Sequence, residues 1–110
     1  MTTIAGTGTS NSLDGPALSA EFVNPFGVAI HPINRQLVYI PDGSDIRILN
    51  RTSNMVSTAM NGFGNAAQIA FKSDGSYFVC QTYSGQIAYI DTLGWLKQRI
   101  NSSRDSVIPK

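Results

Sequence analysis

The sequence predicts an all-β chain made of two successive four-stranded antiparallel sheets. The first observation is a hydrophobic repeat with a period of 41 residues and no gap. The segments that align are 28–30 with 69–71, 37–38 with 78–79, and 46–49 with 87–90. The second observation is that apolar segments of five or six residues alternate with clusters of Gly, Pro, Asn, Asp and Ser. This alternation is typical of short strands that are joined by turns.

The composition fits one folded domain of modest size. Of the 110 residues, 42% are hydrophobic and 14% are charged, and the formal net charge is +1. A chain of this kind is too apolar to be disordered and too weakly charged to be a coiled coil or a nucleic-acid-binding tail. No apolar segment approaches the roughly 20 residues of a membrane-spanning helix, and the Thr- and Gly-rich start does not resemble a signal peptide.

The strands of the first half follow from its apolar segments and the turn residues between them. Pro32 and Asn34, the segment 41–43, and Ser53 with Asn54 separate these segments. Such residues allow the chain to reverse within a few positions. The predicted strands are Phe26–His31, Gln36–Ile40, Asp45–Leu49 and Met55–Met60.

The second half repeats this pattern. Turn residues at 73–75 and 84–85 separate its apolar segments. The predicted strands are Gln68–Lys72, Tyr77–Thr82, Gln86–Asp91 and Trp95–Ile100. Cys80 lies in an apolar strand, so we expect it to be a buried small side chain.

Polarity increases along the strands of the first half. The segment 37–40 is continuously apolar, as in a strand that is buried on both faces. The next strand alternates, with Ile46 and Ile48 on one face and Arg47 on the other. The strand that contains Ser57 is more polar still. This order suits a radial sheet whose first strands line a central axis, and a period of 41 lies within the range of β-propeller blades.

The segment 3–32 and the turn 42–47 resemble the consensus of NHL-repeat β-propellers. The residues of the first segment that match are Ala5, Gly6, Asp14, Gly15, Pro16, Ala17, Phe22, Pro25, Gly27, Val28 and Ala29, and those of the turn are Asp42, Gly43, Ile46 and Arg47. The second half departs from the pattern at Gln68, Tyr83 and Ser84. The resemblance covers residues 2–100 and implies about two blades of a propeller.

This interpretation divides the chain into four parts. Residues 1–25 form an outer strand of a preceding blade and a long inter-blade loop, 26–65 the first blade, 66–100 the second, and 101–110 a polar tail. Within that first part, residues 1–5 align with the outer strand 56–60. Two blades cannot close a ring, and uncovered end blades would expose apolar patches. Further blades come either from a longer parent chain, which we favour because the chain begins in mid-repeat, or from homo-oligomerisation into a closed ring.

The sequence offers little chemistry of its own. His31 is the single histidine, and Cys80 the single cysteine, so there is no clustered ligand set for a metal. Asp42 and Asp45 provide two carboxylates, whereas a dedicated Ca²⁺ site needs six or more oxygen ligands. The Gly- and Ser-rich loop 6–24 lacks the ending of a phosphate-binding loop, but it could present a binding surface, with Leu18 and Phe22 as anchors. We predict no catalytic residue, no cofactor and no metal.

The predicted function is a non-catalytic interaction or scaffold module that presents loops to a protein or peptide. The predicted partner-binding residues are Asp42, Ser44, Tyr83, Ser84 and His31. Two alternatives stay open. Related propellers include metal-dependent lyases and lactonases, and other NHL propellers bind RNA, although the sparse basic residues after position 95 make a nucleic-acid partner the weaker prediction. No membrane partner is predicted.

Two acceptor triplets for N-glycosylation begin at Asn50 and Asn101. They matter only in a secreted protein, and the sequence does not assign a compartment or establish whether either site is used.

Overall fold

The computed structural model describes residues 2–83, 85–92 and 96–101, and in this part of the chain all regular structure is β. The strands are β1 (Gly15–Pro16), β2 (Ala29–Ile30), β3 (Leu37–Asp42), β4 (Asp45–Asn50), β5 (Met55–Met60), β6 (Ala66–Phe71), β7 (Tyr77–Gln81), β8 (Gln86–Ile90) and β9 (Leu96–Asn101). They form a five-stranded sheet in the order β1-β5-β4-β3-β2 and a four-stranded sheet in the order β6-β7-β8-β9, both antiparallel. The described residues contain no helix long and apolar enough to cross a membrane. The prediction of an all-β chain with two antiparallel sheets is confirmed.

The first sheet is built around the β3–β4 hairpin. Asp42 pairs with Asp45 across a two-residue turn in which Gly43 has a φ of +61°. A side chain is strained at positive φ, which explains a glycine at this position. The register between β4 and β5 shifts between Ile46 and Arg47, and this bulge increases the local twist of the sheet.

The edges of the first sheet differ from the prediction. The strand expected over Phe26–His31 is reduced to β2, although the Phe26 N–H still donates to the Pro41 carbonyl at 3.0 Å. The outer strand expected at residues 1–5 is not formed within 2–5. Instead β1 pairs with β5, because the chain returns to this edge at Gly15 and completes the ladder from its own loop.

The second sheet follows the predicted strand order. Its hairpin between β7 and β8 joins Gln81 to Gln86 through four residues, of which Gly85 has a φ of +66°. The predicted strand Trp95–Ile100 corresponds to β9, while Trp95 and Ser84 lie outside the described residues.

The main core lies between the two sheets. The fully buried members of this cluster are Ile46, Phe63, Ala66, Tyr77, Val79, Ala88 and Ile90. An aromatic group closes one end, where the Tyr39 ring lies 5.0 Å from the Phe71 ring and 5.3 Å from the Tyr77 ring, centroid to centroid. Burial raises the pKa of Tyr77, and the neighbouring Tyr39 raises it further. Both phenols are therefore held in the neutral form.

A second core covers the opposite face of the first sheet. The loop before β2 folds back on this face, and its buried Ala17 and Ala20 pack with Ile40 and Leu49. The predicted anchor Phe22 also packs here. The other predicted anchor, Leu18, is exposed, because the small alanines on either side of it take the positions nearest the sheet.

Residues of β7 and β3 that occupy equivalent positions in the two sheets differ by two residues from the pairs predicted by the ungapped 41-residue repeat. Two residues separate Asp42 from Asp45, whereas four separate Gln81 from Gln86. The ladder between β6 and β7 is displaced by the same two residues relative to that between β2 and β3. The counterpart of Asp42 is consequently Gln81, and not Tyr83 as the sequence alignment predicts.

The offset does not change which face of the sheet each side chain occupies, since two residues are one full strand period. It places Cys80 opposite Ile87 on the uncovered face of the second sheet, where the thiol is exposed. The prediction that Cys80 is buried is wrong, because a continuous apolar segment does not reveal that no other described element packs on this face of the sheet.

Candidate functional site

Four loop segments lie side by side at one end of the two sheets, and we call them the loop ridge: residues 23–24, 43–44, 63–66 and 82–83. The central segment, 63–66, is bonded on both sides. Its Phe63 N–H donates to the Ser44 carbonyl at 3.0 Å, and the Tyr83 N–H donates to its Gly64 carbonyl at 3.0 Å. The structure therefore brings together the two hairpin tips that contain Ser44 and Tyr83.

Tyr83 is the most prominent side chain of the ridge. It is 89% exposed, although its backbone is fixed by the bond to Gly64. Ser44 is exposed as well, and its hydroxyl lies 3.4 Å from an Asp45 carboxylate oxygen. A rigid backbone that presents an exposed tyrosine is typical of a binding surface, since tyrosine supplies a large contact area and a hydroxyl at low entropic cost.

Asp42 lies beneath the ridge rather than on it. Its carboxylate is buried and accepts hydrogen bonds from the Val23 N–H at 3.1 Å and the Asn24 N–H at 2.6 Å. Its Oδ2 also accepts from Arg47 Nη1 at 2.9 Å. These bonds fix the loop before β2 to the tip of the β3–β4 hairpin, so the carboxylate of Asp42 holds the ridge in place and does not face a partner.

Arg47 is the centre of this buried network. Its side chain is fully buried, and the guanidinium donates to Asp14, to Asp42 and to the backbone carbonyls of Leu13 and Glu21, at 2.8–3.2 Å. A buried arginine is tolerated only when it is paired and its donors are bonded. The network therefore attaches the N-terminal loop to the first sheet.

Sequence reasoning missed this role of Arg47. The alternating pattern of β4 places a charged residue between two isoleucines, which predicts that the charged side chain faces solvent. On an exposed strand Arg47 would be expected to contact the nearby Asp45. In the structure it instead contacts Asp14 and Asp42 and the carbonyls of Leu13 and Glu21. The available signal was that Asp14, Asp42 and Arg47 all belong to the matched consensus positions.

The second sheet has an equivalent hydrogen bond between a loop and a strand end, but it involves no charged side chain. The Gly64 N–H donates to Gln81 Oε1 at 2.8 Å, which corresponds to the bond from the Val23 N–H to Asp42. The counterpart of Arg47 is the buried Ala88. A neutral amide thus replaces the ion pair, and its Nε2 has no hydrogen-bond partner among the described residues.

A pocket of about 480 Å³ adjoins the ridge. Its walls are the Thr- and Gly-rich segment 5–10 and the side chains of Thr3, Phe22, Val23 and Pro25. The Thr7 hydroxyl donates to Glu21 at 3.1 Å, and the Ser10 hydroxyl donates to the Val23 carbonyl at 2.9 Å. The pocket thus combines a polar, Thr- and Gly-rich segment with the apolar residues Phe22, Val23 and Pro25, which suits recognition of a small or extended ligand.

His31 lies at the other end of the sheets, one full length of β3 away from the ridge. Its Nδ1 accepts from the Ile33 and Asn34 N–H groups at 3.2 and 3.1 Å, and its ring lies 5.2 Å from the Phe71 ring. Its Nε2 is 3.1 Å from the point where a Cβ on Gly75 would stand. These contacts make His31 a turn-stabilising residue, and the structure does not bring it together with the other predicted site residues.

The described residues offer no cluster of metal ligands. No three His, Cys, Asp or Glu side chains in this part of the molecule are grouped so that they could hold a metal ion. Near His31, the Ser76 hydroxyl and backbone N–H donate to Asp74 at 2.6 and 3.0 Å, and these bonds lower the pKa of its carboxyl group. Asp74 therefore stabilises the β6–β7 turn. Of the predicted site residues, Ser84 is outside the described residues, and partner binding at Ser44 and Tyr83 stays a prediction.

Comparison with known proteins shows a similarity at the level of the fold. No protein-family model and no curated protein sequence matches the chain. Among solved structures, the chain is similar to an auxiliary nutrient binding protein from Bacteroides thetaiotaomicron, with a TM-score of 0.59 and 14% sequence identity. The match covers 96% of this chain and 38% of the other. This chain therefore has the fold of a part of that larger protein.

Proposed function

We propose that the chain supplies two blades of an NHL-like β-propeller and acts as a non-catalytic recognition module whose loop ridge binds a protein or peptide. The observation that carries the proposal is the exposed Tyr83 on a backbone fixed to the neighbouring loop. Backbone hydrogen bonds join segments 43–44, 63–66 and 82–83 of the ridge, and the Asp42 carboxylate beneath it holds segment 23–24. Such a surface can bind without a large ordering cost.

Two further observations support the propeller interpretation. The consensus residues Asp14, Asp42 and Arg47 meet in one buried network, which gives the sequence resemblance a structural reason. The match covers 38% of the similar structure, and two blades make up a comparable share of any five- or six-bladed propeller. That protein is described as an auxiliary nutrient binding protein, and its binding role supports recognition, although not a peptide ligand in particular, as the task of this chain.

The proposal is tested with a displayed library of random peptides. We expect the wild-type chain to enrich peptides whose binding, measured by fluorescence polarisation, is weakened about thirtyfold by Tyr83→Ala, the loss expected for a tyrosine hot spot. Ser44→Ala should have a smaller effect, because its side chain is short and lies beside Asp45.

The matched control is Arg35→Ala, an exposed side chain at the opposite end of the sheets. It should leave both folding and peptide affinity unchanged. Peptides that bind Tyr83→Ala as tightly as the wild type, or a library from which nothing is enriched, would refute the assignment of the ridge.

A further inference from the structure

No other described element packs on one face of the second sheet. We call it the outer face, and it carries Ala70, Phe78, Cys80, Ile87 and Tyr89. The Lys72 ammonium lies 5.7 Å from the Tyr89 ring centroid. Ile87 is 39% exposed, and Phe78 is exposed to a similar degree. Large apolar side chains grouped on one sheet face are unusual at a free surface and mark sites of association.

The counterparts of these residues in the first sheet are covered by the second sheet. The strand-for-strand correspondence equates Phe78 with Tyr39 and Ile87 with Ile46. The Tyr39 ring packs on the Phe71 and Tyr77 rings of the second sheet, and Ile46 is 0% exposed in the core between the sheets. The outer face therefore repeats a surface that another sheet buries within this same molecule.

The opposite end of the molecule contains a matching groove of about 190 Å³. It is lined by Ile4, Ala5, Phe22, Pro25, Val28, Val38, Ile40 and Leu49. Six of these correspond to residues that pack in the core around Ile46. The pairs are Phe22 with Phe63, Pro25 with Ala66, Val28 with Ile69, Val38 with Tyr77, Ile40 with Val79, and Leu49 with Ile90.

Size and exposure both indicate that no described side chain fills the groove. A cavity of about 150 Å³ is enough to hold a benzene molecule, so a groove of about 190 Å³ has room for a ring such as that of Phe78. Val28 beside the groove is 73% exposed, whereas its counterpart Ile69 packs against the core between the sheets. The N-terminal loop packs on part of this face through Ala17, Ala20 and Phe22, whereas Val28 and Ile30 stay exposed.

We propose that a second copy of the chain docks head to tail, placing the outer face of one copy, with Phe78 and Ile87, on the Val28 groove of the next. The contact repeats the packing between the two sheets of one chain. It is heterologous, so successive copies close into a ring if the rotation permits and otherwise extend as a filament. It does not involve Tyr83, and so it stands or falls independently of the proposed ligand recognition.

The first experiment is sedimentation velocity on the full chain over a hundredfold range of concentration. We expect the wild type to associate as its concentration rises. Ile87→Glu and Val28→Glu should each weaken association about a hundredfold, since either would bury an unpaired charge in the contact. Ser53→Glu, an exposed turn position, adds the same charge elsewhere and should associate like the wild type.

The second experiment mixes the two variants, which distinguishes a head-to-tail contact from a face that pairs with itself. Ile87→Glu retains an intact groove and Val28→Glu retains an intact outer face, so the mixture should form a heterodimer that grows no further. Three results would overturn the proposal: a wild-type chain that stays monomeric throughout, a Val28→Glu variant that associates normally, or a mixture of folded variants, verified by circular dichroism, that remains monomeric.

Discussion

The buried guanidinium of Arg47 provides the sharpest test of how the fold is held together. In Arg47→Met the aliphatic stem is largely retained, but the buried Asp42 loses its cation and the Leu13 and Glu21 carbonyls lose their donors. Removing one partner of a buried ion pair costs about 3–5 kcal/mol. A domain of this size has a free energy of unfolding of about 5–15 kcal/mol, so the variant should lose a large part of its stability.

The assay is urea unfolding followed by circular dichroism, with native-state proteolysis as a second readout. Because Arg47 attaches the N-terminal loop, chymotrypsin should cleave near Phe22 in the variant under conditions in which the wild type is intact. Asp14→Asn should cost less than 1 kcal/mol, since the Asp14 side chain is 48% exposed and its ion pair is screened by solvent.

Asp42→Asn should fall between these two variants. The asparagine oxygen can still accept from the Asn24 N–H, and Arg47 keeps Asp14 as a counter-ion. The double variant Arg47→Met/Asp42→Asn should lose less stability than the sum of the single losses, since the two residues interact directly. A loss below 1 kcal/mol in Arg47→Met, or strict additivity, would refute the argument.

Two further predictions concern the aromatic end of the core and the turn beside it. Burial raises the pKa values of Tyr77 and Tyr39 above the usual 10.0. Above about pH 10 the unfolded chain therefore loses phenolic protons that the folded chain keeps, and the free energy of unfolding should fall as pH rises. Tyr77→Phe should make this fall shallower, and an unchanged pH slope in that variant would contradict the raised pKa of Tyr77. Gly75→Ala should lower the melting temperature more than Gly8→Ala does. Both glycines have a φ above +90°, but only a Cβ at Gly75 would contact His31, at 3.1 Å. Equal decreases would show that the His31 side chain moves aside with no loss of stability.

Much of the fold could be predicted from the sequence because the strands leave local signals. The alternation of Ile46, Arg47 and Ile48 predicts β4, and the turn residues at 41–43 predict its hairpin. Gly15–Pro16 gives no such signal, since a strand of two residues has no periodicity. Its pairing with β5 depends on how a distant loop returns to the sheet.

The two-residue offset in β7 was invisible for a physical reason. A shift by one strand period keeps Val79 facing inward and Phe78 facing outward, so the hydrophobic pattern of the repeat is unchanged. The pattern cannot tell whether Tyr83 or Gln81 is the counterpart of Asp42. Hydrogen bonds decide this, because the Gly64 N–H donates to Gln81.

The candidate site was predictable only in part. Hairpin tips are natural binding positions, and this reasoning identified Ser44 and Tyr83, which the structure brings to the two sides of one loop. The same reasoning selected Asp42, whose residue type suits both a binding surface and a buried loop anchor. The identity of its partners, Val23 and Arg47, depends on the tertiary fold.

We conclude that the two sheets are successive copies of one repeating unit, stacked so that Tyr39 of the first sheet packs on Phe71 and Tyr77 of the second. Nuclear Overhauser spectroscopy of the aromatic protons measures this stacking directly. With ring centroids 5.0 Å apart for Tyr39 and Phe71 and 5.3 Å apart for Tyr39 and Tyr77, strong cross-peaks are expected between these rings. Their absence from a spectrum that retains the cross-strand contacts within each sheet would show that the sheets fold without stacking.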